Sequence, residues 1–125
     1  MSWLLDRLTG LAVADRLTIV VDTAADRSGE FGGILRRAAT VEGTSVVSAA
    51  ARSAAQQPVR GEVRLVVASS DRGEPWFRAL RSDDLGVSVG AASPGADVRV
   101  DGLHDAATLI DTLVTLRTHA MRAIA

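Results

Sequence analysis

Leu17-Thr18-Ile19-Val20-Val21 is a dense, β-branched apolar run closed by Asp22. A strand with one wet face alternates apolar and polar side chains, so an unbroken run of this kind belongs to a strand buried on both faces. Such a strand has to lie inside a sheet, and it is placed here as the central one. The chain has 125 residues and shows no linker, which is enough length for one core and points to a single domain over residues 1–125.

The elements around that strand follow from spacing. Trp3, Leu4, Leu5, Leu8, Leu11 and Ala12 recur at helical intervals, giving a short amphipathic helix over residues 2–13 that Gly10 weakens. Phe31, Ile34, Leu35, Ala38 and Ala39 fit a helix with Ser28 as N-cap and Gly43 just past its end. Val46, Val47, Ala50, Ala51 and Ala54 fit a second helix, Thr44 to Gln57, capped by Thr44 and stopped before Pro58. Short apolar runs are ambiguous in period, so Ile34 to Val41 or Ser45 to Ala51 also reads as a strand; the helix is favoured for the second.

From Gly61 onward, Val63, Leu65 and Val67 alternate with Arg64, Val66 and Ala68, and Ser70-Asp71-Arg72-Gly73 has turn composition before Trp76 to Arg81. Leu85, Val87 and Val89 follow, then Ser93-Pro94-Gly95, then Val98 and Val100. This block reads as an antiparallel meander, and the helix Leu103 to Ile124 closes an α+β domain with an N-terminal and a middle helix. At 100° per residue the apolar positions of that last helix cover about half its circumference, wider than one sheet requires. Part of it is therefore expected to face a partner, with Arg117 inside the apolar arc either snorkelling or pairing with a carboxylate.

Composition removes several function classes. There is no cysteine, so disulfides, thiolate catalysis and iron–sulfur clusters are excluded. A net charge of -1, with two Trp, two Phe and no Tyr, argues against nucleic-acid binding. Charged residues interrupt both the N-terminal apolar stretch and the last helix, so neither a signal peptide nor a membrane span is expected, and a reduced cytoplasm is the simplest setting. Every basic residue other than histidine is Arg, and Lys, Asn and Tyr are absent, which reads as the codon bias of a high-G+C bacterial genome.

The candidate chemistry is sparse. Asp22 at the end of a buried strand, with Asp26, Ser28 and Glu30 after it and glycines at 29, 32 and 33, occupies a position where anions and phosphoryl groups are often handled. No Gly-Lys-Ser/Thr or G-x-G-x-x-G pattern accompanies it, and a solvated turn into a capped helix accounts for the same residues. His104 and His119 are separated by about 22 Å along one helix and cannot share an ion. No catalytic, metal or cofactor residue is assigned. Trp76 and Phe77, read on a strand, point to opposite faces, so one ring needs a cover. Trp76, Arg78, Leu109, Leu116 and Arg117 are the expected partner-binding residues, since Trp and Arg are preferred anchors.

The element order resembles the roadblock/LC7 (MglB-like) family: Trp3-Leu4-Leu5-Asp6 opening a helix, Leu17 to Val21 as first strand, Thr44 to Gln57 as central helix and Glu62 to Val89 as meander. That resemblance implies a profilin-like layout, homodimers and often a small-GTPase partner. The family's short Asp-Gly return after the first strand is replaced by the longer stretch from Asp22 to Gly33. Glu62 to Leu113 also looks like parts of the type VII secretion chaperones of the EspG kind, which implies a secretion substrate as partner. The expected function is a non-enzymatic, homodimeric interaction module, with a secretion-chaperone-like binding protein or a small phosphoryl- or anion-handling enzyme centred on Asp22 as alternatives.

Overall fold

A computed structural model describes residues 3–22, 29–49 and 57–124. Four helices and five strands lie among these residues: α1 (Trp3–Ala12), β1 (Arg16–Asp22), α2 (Gly29–Ala39), β2 (Thr44–Ser48), β3 (Glu62–Ser69), α3 (Ser70–Arg78), β4 (Leu85–Val89), β5 (Val98–Val100) and α4 (Leu103–Ile124). The expectation of a domain mixing helices with a sheet holds at that coarse level. The antiparallel meander does not, because all the pairings are parallel, in the strand order β2-β1-β3-β4-β5.

β1 lies inside the sheet, as its composition requires. Leu17 to Val21 pairs with Thr44 to Ser48 on one side and with Val63 to Val67 on the other. One face of the sheet, carrying Leu17, Ile19, Val21, Leu65, Val67, Leu85 and Val87, packs under α1, α2 and α4. The opposite face carries Val20, Val66 and Ala68, and packs under Trp76 and Phe77 of α3. Crossovers between parallel strands are right-handed, so the β1-to-β2 and β3-to-β4 connections, which head for opposite edges, place α2 and α3 on opposite faces. Cover on both faces is what makes parallel strands read as continuous apolar runs.

Three local expectations are corrected. In β3, Val63 to Ala68 does not alternate between core and water: Arg64 is as deeply buried as Leu65 and Val66. Ser70-Asp71-Arg72-Gly73 forms the first turn of α3 and not a hairpin turn, so Trp76 and Phe77 lie about 100° apart on a helix and both reach the sheet. Gly73 permits that close seating, since a Cβ there would lie 2.7 Å from the Cβ of Ala68 and 2.7 Å from the Phe77 ring. Thr44 to Ser48, expected to begin a helix, is the edge strand β2; the remainder of the Thr44 to Gln57 helix, residues 50–56, lies outside the described residues.

α4 covers the predicted span, and its wide apolar arc is used within the chain. Because α4 has α1 on one flank and α2 on the other, as well as the sheet beneath, it buries Ala106, Ala107, Leu109, Ile110, Leu113 and Val114. A helix with two helical neighbours needs more than the stripe sufficient for one sheet. No helix among the described residues is long and apolar enough to cross a membrane.

Candidate functional site

At the carboxyl end of the sheet, the order β2-β1-β3-β4-β5 makes the gap between β1 and β3 the point where the connections diverge to opposite faces. Open parallel sheets commonly bind ligands outside such a switch point. Asp22 ends β1 there, in register with Ala68 of β3. β3 runs directly into α3 through Ser69, and Asp71 stands in the first turn. The hydrogen bond from the Ser69 side chain, supported by the N–H groups of Asp71 and Arg72, holds the Asp71 carboxyl below its ordinary range. Asp26 and Ser28, which the sequence groups with Asp22, lie outside the described residues. Glu30, at the start of α2, has its Oε2 3.4 Å from His104 Nδ1, and both side chains are largely exposed. His119 is exposed farther along α4. Among the described residues no group of His, Asp and Glu side chains can hold a metal ion.

The amino end of the sheet concentrates the buried charge. Asp84, just before β4, accepts from the backbone N–H of Arg64 at 2.8 Å and of Arg81 at 2.9 Å, and from Arg64 Nη2 at 3.0 Å. Burial pushes the Asp84 carboxyl up, but the N–H groups and guanidinium groups of Arg81 and Arg64 outweigh it, leaving the pKa below the ordinary value. Arg7 of α1 donates to the carbonyls of Ser82 and Asp84, fastening the helix to this corner. A cleft of about 790 Å³ opens beside it, lined in part by Asp15, Thr18, Glu42, Ser45 and Glu62. Its buried Thr18 and Glu62 bond one another, the Thr18 hydroxyl donating to Glu62 Oε2, and the N–H of Val59 donates to Glu62 Oε1 at 3.0 Å.

The five residues expected to bind a partner do not form one surface. Trp76 is buried under α3, and Arg117 is 1% exposed beneath the far end of α4. Arg78 projects into solvent and pairs with Glu74 one turn back. Leu116 is half-buried against the main core, and Leu109 is buried but lines a groove. That groove, about 330 Å³, runs between Leu4, Leu5 and Leu8 of α1, Val100 of β5, and Asp105, Thr108, Leu109 and Thr112 of α4. Its α1 wall was legible only as a short amphipathic helix. The meeting of α1 with α4, residues about a hundred positions apart, left no local signal.

The surface around the groove is unusual in two respects. Among the described residues the exposed large apolar side chains are Trp3, Leu5, Val13 and Val59; Trp3 and Leu5 belong to α1, whereas Val13 and Val59 line the cleft at the amino end of the sheet. The hydroxyls bordering it are turned inward: Thr9 donates to Leu5 O at 2.9 Å, Thr108 to His104 O at 3.1 Å and Thr112 to Thr108 O at 3.0 Å. Each threonine thereby satisfies its donor within its own helix. Comparison with protein-family models, with curated proteins and with solved structures finds no match to this chain.

Proposed function

We propose that this chain is a non-enzymatic protein-interaction module that docks through the face built by α1, β5 and the first half of α4. The observation that carries this reading is the pair of exposed apolar side chains on α1, Trp3 and Leu5, beside an apolar groove. Scattered single hydrophobics are ordinary on a protein surface, whereas a contiguous patch around a concavity marks an interaction site. The inward-turned threonine hydroxyls support it, because water can leave this rim without stranding a donor, whose burial would otherwise cost about 1–3 kcal/mol.

A photo-crosslinking amino acid at position 5, in the full chain in its own cells, is expected to give discrete protein adducts. The same group at position 78, exposed on α3 over the opposite face of the sheet, is expected to give none. Adduct-free chain at position 5, or equal labelling at both positions, overturns the docking face.

A second reading is favoured by the strand order alone, which sets Asp22 at the switch point of a parallel sheet. On that reading the chain handles a phosphoryl group or another anion at the carboxyl ends of β1 and β3. Thermal unfolding with inorganic phosphate, and with nucleoside triphosphate plus Mg²⁺, is then expected to rise by several degrees, as for any ligand that binds only the folded state. An unchanged transition at saturating concentrations removes the reading.

A further inference from the structure

We draw no further inference here: the strongest candidate, the cleft at the amino end of the sheet where Asp15, Glu42 and Glu62 stand below the exposed Val13 and Val59, is a cluster of acidic side chains whose buried carboxylate is already held by the Thr18 hydroxyl and the Val59 N–H, and nothing in the structure points to what would fill it.

Discussion

Arg117→Met is expected to lower the free energy of unfolding by about 3–5 kcal/mol, because several buried carbonyls lose their donor at about 1–3 kcal/mol each, read from the urea midpoint of the folded variant. The guanidinium is 1% exposed and gathers two turns, the close of α1 and the entry to β2. Its Nη1 donates to the carbonyls of Ala14 at 2.8 Å and Ala12 at 3.2 Å, at the close of α1. Its Nη2 donates to Gly43 O at 3.0 Å, and its Nε to the Thr44 hydroxyl at 2.5 Å, at the turn into β2. The last carbonyls of a helix have no partner within it and form the negative end of its dipole, so a cation there is stabilised without a carboxylate in contact. Burial lowers the Arg117 pKa, against the pull of the Asp15 charge, yet a guanidinium stays protonated. Methionine replaces the stem and none of the donors, leaving dry carbonyls on both turns.

Arg117→Lys is expected to lose about 1–3 kcal/mol, because one ammonium on a flexible stem cannot bridge both turns as a planar fork does. Gly43→Ala should disturb the same cluster from the other side. Gly43 has φ +71°, and a Cβ there would lie 2.7 Å from Asp15 O and 2.9 Å from Arg117 Nη2. A midpoint for Arg117→Met within about 1 kcal/mol of wild type would show that water or neighbouring N–H groups satisfy those carbonyls instead.

Arg117 also shows where local reading of the sequence stops. Its place in the apolar arc of α4 correctly marked it as exceptional, but snorkelling and pairing with a carboxylate were the two outcomes that helical geometry offers. The third, capping carbonyls at the starts of β1 and β2, depends on contacts spanning about a hundred residues. β1 was legible because Leu17 to Val21 leaves a strand no wet face. β3 was legible as a strand but not as one buried on both faces, because Arg64 mimics the polar member of an alternating pair; its pairing with Asp84, twenty residues on, keeps it inside. The turn residues Ser70 to Gly73 and Pro75 hid α3 for a similar reason, since Ser and Asp suit a helix start as well as a turn. Thr44 to Ser48 was too short for its period to decide between helix and strand. Of the groove, the sequence pointed to Leu109 and to an amphipathic α1, and the fold joined them.

Asp84→Ala is expected to cost about 3–5 kcal/mol, the second large effect, because it leaves a buried cation without its counter-charge. Arg64 is 1% exposed and has Asp84 as its carboxylate partner. Without Asp84, its Nη2 keeps the Ala79 carbonyl at 2.8 Å, and its Nη1 already has no hydrogen-bond partner. The same carboxylate gives the fold a dependence on acid. Its folded pKa lies below the unfolded value of about 3.9, so its contribution is fully present above that value and is lost as pH falls through the folded pKa. Asp84→Asn, which cannot ionise, should therefore show a shallower loss of stability between about pH 5 and pH 2 than wild type, measured by urea unfolding at stepped pH. An identical acid limb would assign the acid sensitivity to other carboxylates. Removing both charges in Arg64→Met/Asp84→Leu should recover part of what Asp84→Ala alone loses, since a well-packed apolar pair often matches a buried ion pair in stability. If the double variant is no better than the single one, the backbone bonds that Asp84 accepts from Arg64 and Arg81, and not its charge, hold β3 to the turn before β4.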